Sequence, residues 1–295
     1  ELSIIYKREN IDLVLSYTIK PNIYGALATV FNSTKSISTV TGLGSSFLIG
    51  GLINVISKFL YKTAFKFSSA VVFQNRDDLN LFESKGIVSV QKTNLIRGSG
   101  IDLNHFRSSG PIASKKFQLL FVGRLLTDKG IIELLEAFSN VSVNHKNVVL
   151  VILGGVDVGN PTSLTQEVID KYDSDAINFL GHQSNIKNFI EESDAVVLPS
   201  YREGLPRVLL EAMSMSKPII GSDVAGCREV VNNEVNGFLV KPQDVASLEL
   251  SILKMIELTD IERFKMGDEG REMVEKYFSD QVICGQYLDF IKKII

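Results

Sequence analysis

The apolar runs of this chain do not alternate with polar residues. Val148-Val149-Leu150-Val151-Ile152-Leu153 is apolar throughout. A strand with one face in water alternates, so a run of this kind belongs to a strand covered on both faces. Comparable runs at 13–16, 38–41, 70–74, 95–97, 118–122, 177–180, 195–199, 218–222 and 237–240 complete a set of candidate strands. Helix-length segments such as 131–140 and 207–216 lie between them. Strands and helices in alternation predict an α/β chain of doubly wound parallel sheets.

Two such units fit in 295 residues. The polar, turn-rich stretch Arg107-Ser108-Ser109-Gly110-Pro111, within 106–116, marks a boundary before a fresh strand. The expected division is 1–108 and 109–279, with an amphipathic helix at 280–295 packing back on the first domain. The chain opens at Glu1 and reaches a strand-like run at Ile11-Asp12-Leu13-Val14-Leu15-Ser16, as though it began within a domain. No charged segment followed by an apolar one marks a signal peptide. The net charge of −3 gives no global field for nucleic acid. Cys227 and Cys284 are too few for a disulfide scaffold and form no metal-binding spacing. A reducing, cytoplasmic setting is the expectation.

Three clusters carry chemistry. In Phe121-Val122-Gly123-Arg124-Leu125-Leu126-Thr127-Asp128-Lys129-Gly130 a strand ends at a glycine and two cations follow. Ligands of open α/β sheets bind at the carboxyl ends of strands. Arg124 and Lys129 can clamp a diphosphate there, or can belong to a solvated turn. In Pro199-Ser200-Tyr201-Arg202-Glu203-Gly204-Leu205-Pro206-Arg207-Val208-Leu209-Leu210-Glu211, a strand leads into a helix with Pro206 in its first turn. A helix start offers free N–H groups to phosphate. If Glu203 and Glu211 share that helix, they lie about 12 Å apart along its axis. A glycosidase places its carboxyls about 5–5.5 or 6.5–9.5 Å apart. The wider spacing suits two ends of an extended ligand, although such a pair also arises on solvated faces. The third cluster, Pro218 to Val231 with Asn236-Gly237-Phe238-Leu239-Val240, reads as scaffold, with Gly226 and Gly237 as turn residues.

The order and spacing of Gly123-Arg124, Lys129-Gly130, the Glu203…Glu211 segment, Asn236-Gly237-Phe238-Leu239-Val240 and Gly100-Ile101-Asp102…Phe106 resemble the family 4 glycosyltransferases of the GT-B fold. The first third looks like a narrower branch. Ser16-Tyr17-Thr18-Ile19-Lys20-Pro21-Asn22, Val40-Thr41-Gly42-Leu43-Gly44 and Val72-Phe73-Gln74-Asn75 are similar to bacterial enzymes that build capsule, O-antigen or N-glycan precursors on undecaprenyl diphosphate, of the N-acetylgalactosaminyltransferase type. The resemblance implies two Rossmann-like domains with parallel sheets facing across a cleft, the first of them incomplete. It implies a retaining transfer of sugar from a nucleotide sugar, with UDP preferred, to a glycan or polyprenyl-diphosphate-linked acceptor. Arg124 and Lys129 would hold the diphosphate, and Glu203 would orient the sugar. Gly204 and Leu205 would offer N–H groups to phosphate, and Glu211 would bind the ribose. Gly123 and the backbone by Gly181-His182 would line the nucleotide, with the base near His182. Thr41 and Gly42 would lie on the acceptor side. Many relatives carry His where this chain has Thr41, so no catalytic His is assigned. No metal or cofactor is implied. A truncated or non-catalytic nucleotide-sugar-binding protein of the same fold is the alternative.

The span between Lys35 and Lys58 has no charged residue and is long enough to cross a bilayer, but its glycines, serines and threonines favour a buried strand, turn and helix. Lys58, Lys62 and Lys66 then recur at every fourth position after an apolar stretch with Phe47, Leu48, Leu52, Ile53 and Ile56. That pattern fits either a solvated face or peripheral docking on the anionic inner face of the cytoplasmic membrane.

Overall fold

The computed structural model describes residues 1–43, 51–108, 110 and 116–295. Gly44, Phe47, Leu48, Ser109 and Pro111, named above, lie outside the described residues. The chain forms two compact units. Unit 1 comprises Glu1–Gly100, Glu203–Leu205 and Asp280–Ile295; unit 2 comprises Ile101–Arg202 and Pro206–Ser279.

In unit 1 the described strands β1 (Leu13–Tyr17), β2 (Lys35–Val40), β3 (Ala70–Phe73) and β4 (Thr93–Leu95) pair in that order, all parallel. The fourth run begins earlier than its apolar residues suggest, because Thr93 and Asn94 pair with Val71 and Val72 at the sheet edge. Both faces of the sheet are covered, as the non-alternating runs require. Val40, Val71 and Phe73 pack with Ile23, Tyr61, Phe65 and Phe82 on one face. Ile37, Val72 and Ile96 pack with Ile283 on the other, where Tyr287, Phe290 and Ile291 of the helix Asp280–Ile294 add to the cluster. Lys35 Nζ donates to the Ile294 carbonyl at 2.5 Å. Full burial of an Ile or Phe side chain stabilises by about 1.5–3 kcal/mol, which is why the terminal helix stays with this unit.

Unit 2 holds a second parallel sheet, β5 (Phe117–Val122), β6 (Val148–Leu153), β7 (Ile177–Phe179), β8 (Ala195–Leu198), β9 (Ile219–Ser222) and β10 (Gly237–Val240), in spatial order β10-β9-β8-β5-β6-β7. The chain runs outward from β5 to β7, then returns to the other side of β5 and runs outward again. The order therefore reverses between β5 and β8, and the loops after these two strands leave in opposite directions. Open sheets bind ligands at such a reversal.

Two local readings are corrected. Pro206 is the N-cap, with extended backbone (φ −74, ψ 105), and the helix is Arg207–Ser214, so Glu203 precedes it. Glu203 and Glu211 do not share a helix, and the 12 Å spacing along one axis does not apply. Gly237 is not a turn residue but opens β10, where an added Cβ would stand 2.0 Å from the Ile219 carbonyl oxygen. Gly226 sits within the short helix Ala225–Arg228. Among the described residues no helix is long and apolar enough to cross a membrane.

Candidate active site

The carboxyl ends of β5, β6 and β7 are built on glycine. The Gly123 amide donates to the Leu153 carbonyl at 2.9 Å, and the Gly154 amide donates to the Gly181 carbonyl at 2.9 Å. An added Cβ on Gly154 would meet the Gly123 carbonyl oxygen at 1.9 Å. The backbones after three neighbouring strands are thus drawn together. Gly181 adopts φ +68, a conformation that glycine takes without strain. His182 follows it, exposed, and an added Cβ on Gly155 would be 4.0 Å from the His182 Cβ. Gly154 and Gly155 were not singled out from sequence; a Gly-Gly pair ending the longest apolar run was the available signal.

Arg124 is exposed after β5, and its Nη1 lies 3.1 Å from Asp157 Oδ2. Asp157 also accepts from Asn160 Nδ2 at 3.1 Å. An exposed ion pair contributes only about 0.2–1 kcal/mol, so the guanidinium can exchange this partner for a phosphate at little cost. Lys129, half-buried, closes the short turn Thr127–Lys129. Gly130 follows at φ +69, where an added Cβ would come within 2.1 Å of the Pro199 carbonyl oxygen. That contact brings the loop after β5 against the end of β8. Two further bonds fasten them. The Tyr201 amide donates to the Asp128 carbonyl at 2.9 Å, and the Tyr201 hydroxyl donates to Glu133 Oε1 at 2.5 Å. Burial, then the bond to Glu133, raises the Tyr201 pKa above its ordinary value, so this phenol stays protonated.

Glu211 lies in the second turn of Arg207–Ser214 and is buried. Its Oε1 accepts from Arg207 Nε at 2.9 Å. Burial raises its pKa, against the lowering effect of Arg207. A buried carboxylate with one exposed partner retains acceptor capacity for donors such as hydroxyls.

The remaining candidates belong to unit 1. Thr41 and Gly42 follow β2, with Gly42 at φ +142. Gly204 is buried against them, and an added Cβ on it would stand 1.6 Å from the Thr41 carbonyl oxygen. Glycine is demanded here by protein backbone, rather than by ligand approach alone. Glu203 is half-buried. The candidates therefore fall into two sets: Gly123, Arg124, Lys129, His182 and Glu211 in unit 2, and Thr41, Gly42, Glu203, Gly204 and Leu205 in unit 1.

Residues 104–273 match the family described as glycosyl transferases group 1. The N,N'-diacetylbacillosaminyl-diphospho-undecaprenol alpha-1,3-N-acetylgalactosaminyltransferase of Campylobacter jejuni is 29% identical over 314 residues, covering 100% of this chain and 80% of its own. The capsular polysaccharide biosynthesis glycosyltransferase CapM of Staphylococcus aureus is 26% identical over 317 residues, covering 99% of this chain and 80% of its own. HepE of Anabaena, solved in complex with UDP-glucose, superposes with a TM-score of 0.83 at 20% identity, covering 98% of this chain and 81% of its own. With two parallel α/β sheets and a family match over more than half its length, the chain belongs to the group 1 glycosyl transferases and is a glycosyltransferase of the GT-B fold.

Proposed function

We propose that this enzyme moves a sugar, with retention of configuration, from a UDP-sugar to a polyprenyl-diphosphate-linked glycan during cell-surface polysaccharide assembly. The observation that carries the donor half is the glycine-built end of β5, β6 and β7 beside the β5/β8 reversal, with Arg124 and Lys129 on the adjoining loop. The nucleotide in the HepE structure and the acceptor named for the C. jejuni relative support the choice of donor and acceptor classes.

In this reading Gly123, Gly154 and the Gly181-His182 backbone receive the nucleotide, and Glu211 accepts hydrogen bonds from the ribose. On unit 2, Arg124 and Lys129 hold the diphosphate; on unit 1, Gly204 and Leu205 offer N–H groups to phosphate. Glu203 orients the sugar, and Thr41 and Gly42 lie on the acceptor side. Breaking the glycosidic bond leaves an oxocarbenium-like sugar and a departing diphosphate with growing negative charge. Preorganised positive groups that meet that charge in the transition state accelerate the step. The two cations supply this without a resident metal or cofactor. The chemistry needs Arg124 to trade Asp157 for phosphate, which its exposure permits.

A thermal titration with UDP, GDP and ADP tests the donor half. Ligand at about 100 times its dissociation constant adds roughly 2.7 kcal/mol of stability. UDP alone should produce the shift, and Lys129→Ala should abolish it. A shift with GDP or ADP instead would reject the UDP assignment.

The acceptor half rests on the helix Gly51–Phe67. It buries Asn54, Ser57, Tyr61, Ala64 and Phe65 and exposes Leu52, Ile53, Val55, Ile56 and Phe59, with Lys62 and Lys66 exposed and Lys58 half-buried. Apolar side chains beside lysines match an anionic bilayer surface, where a polyprenyl-linked acceptor resides. The enzyme then works as a peripheral protein on the cytoplasmic face. Co-sedimentation with liposomes of phosphatidylglycerol checks this; no binding at low salt would reject it.

A further inference from the structure

Strand β3 ends at Phe73, and Gln74-Asn75 leads into the helix Arg76–Ser84. Asn75 caps that helix, its Oδ1 accepting from the Asp78 amide at 2.8 Å. Capping uses only an oxygen, and Ser or Asp would serve as well. The amide nitrogen of Asn75 has other partners. It donates to Asp78 Oδ2 at 3.0 Å and to the Gly204 carbonyl at 2.7 Å. Both Asn75 and Asp78 are 0% exposed. The neighbours of Asn75 decide which way its amide is turned, because the flipped amide would set its oxygen against the Gly204 carbonyl oxygen and its NH2 group against the Asp78 N–H.

All three groups lie in unit 1, to which Glu203–Leu205 belongs. That short segment is gripped from other sides as well. Gly42 leaves room for the Gly204 backbone, and Gly98 leaves room for the Leu205 side chain, whose Cδ2 would be 2.4 Å from an added Cβ. The described chain has no cis peptide bonds. In a trans peptide the carbonyl oxygen and the following N–H point in opposite directions. Holding the Gly204 oxygen toward Asn75 therefore aims the Leu205 N–H away from it.

We propose that Asn75, oriented by Asp78, is a positioning residue that fixes the Glu203-Gly204-Leu205 backbone and so aims the Leu205 N–H and the neighbouring Glu203 at the donor. This rests on the reading above that these residues meet the donor's phosphate and sugar. The network is fully buried and holds one peptide plane in one orientation, which is what a donor-binding amide requires. A misplacement of about 1 Å can cost on the order of a hundredfold in rate.

The test uses Asn75→Ser, which keeps the capping oxygen but cannot reach the Gly204 carbonyl. A second variant, Asn75→Asp with Asp78→Asn, exchanges the pair and keeps a mutual bond, a capping oxygen and the charge, but replaces the donor to Gly204 with an oxygen that faces its carbonyl. Each is assayed for turnover of UDP-N-acetylgalactosamine and for UMP affinity, with Glu203→Gln in parallel. Turnover should fall by about a hundredfold, while UMP affinity keeps the wild-type value because the proposed base and ribose contacts lie in unit 2. Wild-type turnover in either folded Asn75 variant, with Glu203→Gln impaired, overturns the positioning role alone. Wild-type turnover in Glu203→Gln overturns the donor reading of the segment, and the positioning role with it.

Discussion

Two helices of this molecule sort their residues in opposite ways. Ile131–Asn144 buries Ile131, Leu134, Leu135, Phe138 and Val141, as a helix on a sheet should. Gly51–Phe67 buries two polar residues in its first half, Asn54 and Ser57, and leaves Leu52 74%, Val55 62% and Phe59 67% exposed. The first helix is explained by the stability it contributes. The second leaves apolar side chains exposed among the described residues, and in the reading proposed above that outward face meets the bilayer surface. On that reading the contrast separates residues placed for stability from residues placed for an encounter.

The largest effect should come from breaking the inward helix. Leu134→Ala should cost about 2–5 kcal/mol in chemical denaturation. Phe59→Ser on the outward helix should stay within about 0.5 kcal/mol of wild type. Equal losses would erase the distinction. Next comes the encounter itself. Replacing Lys58, Lys62 and Lys66 together by Glu should weaken binding to anionic liposomes by roughly 1 kcal/mol per lysine lost at the surface, with the gap closing at high salt. Affinity unchanged by the triple replacement would leave the outward lysines without a role.

The smallest effect concerns a polar residue on the inward side. Burial raises the pKa of Glu211, so the folded state holds its proton more tightly than the unfolded chain. Its contribution is favourable at acid pH. It is lost as pH rises from the ordinary glutamate value, 4.5, through the raised one, and above that the ionised carboxylate costs stability. Glu211→Gln should therefore be as stable as wild type near pH 4 and more stable at pH 7, while UDP affinity falls. A variant less stable at pH 7 would mean that Arg207 outweighs burial, and Glu211 would rank with Leu134 as a residue placed for stability.

How much of this was legible beforehand differs by residue. Strands β6 and β8 were legible because a doubly covered strand writes an unbroken apolar run. The outward helix was only half legible. Periodicity shows that a helix has two faces, but not which one the sheet takes, and here Tyr61, Ala64 and Phe65 decide that rather than the more apolar first half. Whether Glu203 shares the helix of Glu211 was not legible, because Pro206 fits an N-cap as readily as a first turn. Asn75 stood out only within the Val72-Phe73-Gln74-Asn75 resemblance, since its amide's partner, Gly204, is 129 residues away in sequence. Gly154 was passed over because the Gly-Gly pair marks only the end of a run, while its need for glycine comes from a neighbouring strand's carbonyl.

The glycine line across β5, β6 and β7 sets terms for anyone who would redesign this enzyme's donor. Gly154 cannot accept even alanine while the Gly123 carbonyl stays where it is, and Gly181 pays in backbone strain for any side chain. Gly155 has room, with the His182 Cβ as its nearest neighbour at 4.0 Å. If the nucleotide rests there as proposed, a library aimed at a new base should hold the first two positions constant and vary Gly155 with His182, where chemistry can change without moving that backbone floor.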